Sequence, residues 1–246
     1  VQQVIEHGVS VLARQPLRVH LSGRTDAGVH AVGQVGHVDW PAEANELDLR
    51  DITWRLNGII GSDLAVKDMA FVDTTFHARY TAVKRQYVYR ILNRPQRSPL
   101  LKDTHLHVRQ EIDLKAMRDA ASRLLGQHDF AAFRSTNHDK SSTICTVSRC
   151  ELLNLREGVL EFWIAADHFV YNMVRIIVGT LIEVGLAKRD AQSVSDALNS
   201  GDRSLAGPTA PPWGLTLTDV SYPEEFRLWE LMNQEKRSEN LLPETR

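Results

Sequence analysis

Residues 169–185, FVYNMVRIIVGTLIEVG, constrain the fold of this chain more than any other stretch. Apolar side chains fall almost all round a helix drawn through them, so that helix has to be covered on every side. It is too short and too polar for a membrane span, which needs about 20 consecutive apolar residues. It is therefore predicted as the buried centre of a folded domain. Arg175 stands in its middle, between Val174 and Ile176. A guanidinium there is costly unless it snorkels to the surface or a carboxylate meets it. The next acid within the helix is Glu183, about 12 Å further along the axis. The sharper expectation is an ion pair with an acid from elsewhere in the chain.

The surrounding elements can be read from hydrophobic period and punctuation. Val1, Ile5, Val9 and Leu12 mark a helix over 1–13. LRVHLS (17–22) alternates as a strand, and AVGQVGHVDW (31–40) reads as a second. Leu49, Ile52, Leu56 and Ile59 mark another helix, followed by predicted strands at 63–72 and 85–92. NRPQRSP is loop. Asp113 can cap a helix whose apolar face is Leu114, Met117, Ala121 and Leu124. VSRCELLNL and VLEFWIAA read as a hairpin, and the buried helix begins near Phe169. A shorter helix around Val194 and Leu198, a strand at 215–222 and a charged helical tail after Pro223 complete the chain. Helices mixed with hairpins predict an α+β fold with mostly antiparallel sheets. At 246 residues the chain can form two modest domains, and the proline-containing loop suggests 1–104 and 105–246.

Composition narrows the function by distribution rather than by total. The formal net charge of −2 does not mark a nucleic-acid binder. Yet Arg79, Lys84, Arg85, Arg90, Arg94, Arg97 and Lys102 follow one another with no acid between them. Such a stretch can neutralise a polyanion, or it can be a solvated face. Cys145 and Cys150 are an odd number of residues apart, which in a regular strand puts them on opposite faces and argues against a disulfide. No secretory signal is visible, so a reducing compartment, the cytoplasm, is expected. His105 and His107 alternate as a possible metal pair, but no third ligand stands at a telling spacing, and a structural role is favoured. No metal site is assigned.

One loop needs chemistry rather than connectivity. In LSGRTDAGVHA, Asp26 sits between Gly23 and Gly28, which permit tight turns and close approach. An aspartate between glycines is usually a turn residue. GRTDAGVHA, however, resembles the signature of the TruA family of tRNA pseudouridine synthases. The resemblance continues in family order through FHARYTA, KRQYVYRI, GQHDFAAFRS, FVYNMVRIIVGTLIEVG and GPTAPPWGLTL.

The resemblance implies two ferredoxin-like halves flanking a basic cleft. It implies conversion of uridine to pseudouridine in the anticodon arm of tRNA, at tRNA positions 38 to 40, by a cytoplasmic homodimer with no membrane association. Asp26 would be the catalytic aspartate, Tyr87 the tyrosine that stacks on uracil, and Arg175 the basic partner of the aspartate. Arg24 would help to flip the target nucleotide. Arg79, Lys84 and Arg85 are expected as substrate contacts from the acid-free stretch, whose charge can neutralise phosphates. The reaction is an isomerisation with no redox change and no group lost, so no cofactor is expected. Two departures stand out. The family opens with a strand carrying a YDG…GWQ-like segment, whereas Val1 already lies in a helical pattern, so an upstream segment is expected to be missing. Cys145 also stands where many relatives carry Arg or Lys. A catalytically inactive tRNA-binding module of the same fold is the alternative reading.

Overall fold

The computed structural model describes residues 1–41, 48–135 and 142–226; the helical tail expected after Pro223 falls mostly on 227–246, outside them. Two compact units result, and they do not follow a single cut at residue 104. The smaller comprises Val1–Gly23, Val35–Ala82 and the chain that follows from Tyr222; the larger comprises Arg24–Gln34 and Val83–Ser221.

In the smaller unit, α1 (Gln2–Ala13) and α2 (Leu49–Ile59) form where the apolar spacing placed them. Asp48 caps α2, its carboxylate accepting from the N–H groups of Arg50 and Asp51. Val9, Val19, Leu56 and Ile60 make the small core of this unit.

Two strand expectations fail here for the same reason. LRVHLS yields only the two-residue β1 (His20–Leu21). The backbone of Leu17 and Val19 is taken by side chains of α1: Ser10 Oγ accepts from Leu17 N at 2.9 Å, Glu6 Oε1 accepts from Val19 N at 3.2 Å, and Gln2 Nε2 donates to Val19 O at 2.9 Å. Residues 63–72 form no strand. The Asn57 amide on α2 holds both backbone groups of Val66, at 2.7 and 2.8 Å. A backbone satisfied by side chains has no ladder left to make.

The expected single strand at 31–40 is instead two short ones in different units. β2 (His30–Ala31) belongs to the larger unit, and β3 (Gly36–His37) pairs with β1 in the smaller. The break falls at Gly33, where a Cβ would lie 2.2 Å from the carbonyl oxygen of Thr218. Only a residue without a side chain can cross the backbone so closely.

The larger unit is built on a seven-stranded sheet, ordered β2-β9-β4-β8-β7-β6 with β5 also paired to β4. Its further strands are β4 (Lys84–Asn93), β5 (Leu106–Val108), β6 (Gly126–Asp129), β7 (Ile144–Asn154), β8 (Val159–Ala166) and β9 (Leu215–Ser221). The β4–β8, β4–β9, β6–β7 and β7–β8 pairs are antiparallel, whereas β2–β9 and β4–β5 are parallel. The fold is the expected α+β type. α3 (Leu114–Ser122), capped by Asp113, α4 (Met173–Gly185) and α5 (Gln192–Ser200) supply the helical layer.

α4 is the apolar run, buried along most of its length, but it begins at Met173 rather than near Phe169. Asn172 holds a left-handed conformation (φ 62°) that turns the chain into the helix. Across α4 lies the GPTAPPWG segment. A Cβ on Gly179 would stand 1.8 Å from Pro208 O, so the glycine lets that segment rest directly on the helix. Thr180 Oγ1 accepts from Gly207 N at 2.8 Å and fastens it.

The cysteine faces are corrected by an irregularity in β7. Its register with β8 shifts between Val147 and Arg149, and one extra residue reverses the alternation. Cys145, Val147 and Leu152 are core residues, and Cys150 packs against the same core. Both cysteines therefore turn inward, and both are free thiols. Burial pushes each thiol up to about 12.

Candidate active site

β2 is the entry to the site. The loop before it turns tightly, with Val29 N donating to Asp26 O at 3.0 Å. Gly28 supplies the positive φ (83°), and its missing side chain leaves room for the ring of Pro212, 3.1 Å from where a Cβ would be. Gly23 has neither a positive φ nor a close neighbour, so only one of the two framing glycines is needed for conformation.

This turn aims the Asp26 side chain at α4. Arg175 Nη1 donates to Asp26 Oδ2 at 2.8 Å, joining residues 149 apart in sequence. The same nitrogen donates to Asn172 Oδ1 at 2.8 Å, and Nε donates to Ala210 O at 2.8 Å. The main chain returns the contact, Ala210 N donating to Arg175 O at 3.0 Å. Asn172 is itself fixed by Nδ2 donating to Ser135 Oγ at 2.9 Å. The guanidinium is thus locked by three acceptors, and its side chain is 16% exposed against 27% for Asp26. It does not snorkel to the surface.

Tyr87 comes from the centre of the sheet, opposite Ile164 of β8 and Leu217 of β9. The β4–β9 register shifts between Gln86 and Tyr87, a local bulge of the kind that re-aims a side chain beside a functional site. The ring meets Phe169 edge to face at 5.1 Å. Burial pushes the phenol up to about 12, opposed by Arg85 and aided by Asp26. It is a neutral hydroxyl on an apolar ring at any physiological pH.

Comparison with known proteins decides what this arrangement belongs to. Residues 120–223 match the family model described as tRNA pseudouridine synthase. A protein of Shewanella sediminis named "tRNA pseudouridine synthase A" is 40% identical over 234 residues, covering 94% of this chain and 87% of the relative. Proteins of the same name from Syntrophotalea carbinolica and a Geobacillus species are 41% and 40% identical, covering 90% and 84% of this chain and 86% and 82% of theirs. The chain belongs to the tRNA pseudouridine synthase family.

Of the residues singled out in this synthase-family chain, Asp26 and Arg175 meet directly, whereas Tyr87 packs on Phe169, three residues before Asn172. Arg24 is exposed at the start of the Asp26 loop. Lys84 and Arg85 open β4, and Arg85 Nη1 donates to Asp167 O at 2.9 Å. Arg79 lies in the smaller unit, its guanidinium 5.9 Å from the Tyr80 ring centroid. Not all of the basic stretch is available to a polyanion: Arg90 pairs with Glu161 at 2.9 Å. His105 and His107 bond locally, to Thr104 Oγ1 at 2.9 Å and to Arg94 O at 2.8 Å, which is the structural role favoured for them.

Asn172, Ser135 and Phe169 were not found by sequence reasoning. Asn172 did carry a signal: it is a polar residue three positions before Arg175, on the same helical face, in an apolar run. Its replacement separates two effects. Asn172→Gly keeps the left-handed backbone and loses the bonds to Arg175 and Ser135, whereas Asn172→Ala also strains the backbone by about 1–2 kcal/mol. Losing a hydrogen bond to a charged group costs about 1.5–3 kcal/mol, so both variants are expected to slow turnover about 10- to 100-fold. Only the alanine variant should show the further drop in denaturant midpoint.

Proposed function

We propose that the chain isomerises uridine to pseudouridine in the anticodon stem-loop of tRNA, at positions 38 to 40, with Asp26 as the reacting carboxylate. The observation that carries this reading is the 2.8 Å Arg175–Asp26 pair in a chain of the synthase family. Arg175 engages Oδ2 and orients the carboxylate, leaving Oδ1 for the substrate. The reaction breaks the N1–C1′ bond and joins the sugar to C5. A fixed carboxylate can begin it by attack at C1′ or C6, or by taking the C2′ proton. The target base has to leave the helical stack to reach such a site. Tyr87 offers a π-face to the uracil ring and a protonated hydroxyl near C5, whose proton must depart. Arg24 fills the space vacated in the stem, Arg79, Lys84 and Arg85 hold phosphates, and the working unit is a homodimer.

Tritium release from tRNA labelled at uracil C5 tests the reaction, since a binding module that had lost catalysis would retain tRNA affinity and release none. The charge reading has its own test. The affinity for tRNA is expected to fall steeply with salt. Lys84→Ala should flatten the log–log slope by roughly 0.7–0.9, the share of one phosphate that is no longer neutralised. Arg85→Ala should do the same, with an added local cost from its bond to Asp167 O. A slope near zero in the unmutated protein would mean that these residues form only a solvated face.

A further inference from the structure

Just before α4, at the ends of β7 and β8, a second group of side chains has no place in the isomerisation. Cys145, Asp167 and His168 each bring a ligand atom to within 4.8 Å of the others. Cys145 Sγ lies 3.4 Å from His168 Nε2, and Asp167 Oδ1 lies 3.0 Å from Nδ1 of the same ring. Asp167 Oδ1 is fixed in turn by the N–H groups of Thr146 and His168, at 3.0 and 2.6 Å. A ring that donates from Nδ1 to a carboxylate presents its Nε2 lone pair to the sulfur. The thiol is buried, but the His168 side chain is 38% exposed and that of Asp167 46%, so the group opens to solvent on the histidine side.

We propose that Cys145 and His168 form a binding site for a thiophilic divalent cation of the zinc–cadmium class, with Asp167 as the carboxylate behind the imidazole. The separation fits. Zinc–sulfur and zinc–nitrogen bonds of about 2.3 and 2.05 Å at a tetrahedral angle put the two ligand atoms about 3.5 Å apart, close to the 3.4 Å present. The carboxylate–histidine arrangement is the one that fixes a ligand ring's tautomer and orientation in metal sites. The metal takes the position of the thiol proton, which passes to solvent, and water completes the coordination shell. Ser142 O, 3.3 Å from His168 Nε2, is within reach of the same position.

Occupancy should be felt at the active site, because the metal would hold one end of the segment that leads into it. Directly after His168 come Phe169, which packs on Tyr87, and Asn172, which bonds Arg175. The site itself does not depend on the isomerase reading, and its test is a binding measurement.

Cadmium is titrated into the reduced protein, and the thiolate-to-cadmium charge-transfer absorbance is followed. The expected result is one equivalent bound, with the band lost in Cys145→Ala and strongly reduced in His168→Gln. It should persist in Cys150→Ala, which controls for the other thiol. Asp167→Asn should weaken binding about 10- to 100-fold, as removal of such a supporting carboxylate does. His168→Gln changes a partly exposed side chain and keeps the result interpretable if Cys145→Ala folds poorly. No band at millimolar cadmium, a band that follows Cys150, or one indifferent to His168→Gln would each overturn the proposal. If turnover is measured in parallel, cadmium should inhibit the wild-type protein and spare His168→Gln.

Discussion

Replacing Asp26 with asparagine is expected to lower turnover by more than about 10⁴-fold, the range lost when an enzyme's reacting group is removed. tRNA affinity and the circular dichroism spectrum should stay close to wild type. The loop does not depend on the carboxylate: its turn is closed by the Asp26 carbonyl and shaped by Gly28. An asparagine oxygen can still accept from Arg175 Nη1, so the site stays assembled while the nucleophile or base is gone. Single-turnover tritium release from labelled tRNA checks this. Turnover within tenfold of wild type in a purified variant would remove Asp26 from the reaction.

Arg175→Met should damage turnover more than folding. Methionine suits the apolar surroundings of α4, but its introduction strands three acceptors at once: Asp26 Oδ2, Asn172 Oδ1 and Ala210 O. Removing one partner of a fully buried pair typically costs about 3–5 kcal/mol. The Asp26 side chain is 27% exposed, so water can replace part of the missing interaction, and the stability cost should fall below that range. Catalysis has no such relief, because a hydrated, freely rotating carboxylate is no longer held at one reacting atom. We expect turnover to drop at least about 100-fold, with chemical denaturation showing a loss of about 2 kcal/mol or less. A larger folding loss with turnover preserved in the folded fraction would make Arg175 a structural residue only.

The two variants together separate chemistry from orientation. Asp26→Asn removes the carboxylate proposed to react and leaves the framework; Arg175→Met leaves that carboxylate and removes its ion-pair partner. If the Arg175 variant were as inactive as the Asp26 variant, orientation would carry as much as the carboxylate itself.

Local physics was sufficient for much of this chain. Asp48 and Asp113 start α2 and α3 as their side-chain chemistry requires, and the segments read as strands at β4, β7, β8 and β9 became strands. The demand of Arg175 for an acid was also local, since a helix with apolar neighbours on every side states it without a fold. Contacts between distant segments decided the rest. Residues 63–72 have the pattern of a strand, but Asn57 takes the backbone of Val66. Residues 31–40 divide because Gly33 meets the Thr218 carbonyl, more than 180 residues away. The two cysteines share a face because a bulge, invisible to counting by twos, resets the alternation of β7. Ser135 joined the site only when the turn after β6 met Asn172, 37 residues further along the chain. Period and capping depend on neighbours along the chain and can be read there. Which backbone group finds a ladder, and which side chain reaches it first, is settled only when remote segments compete for the same hydrogen bonds.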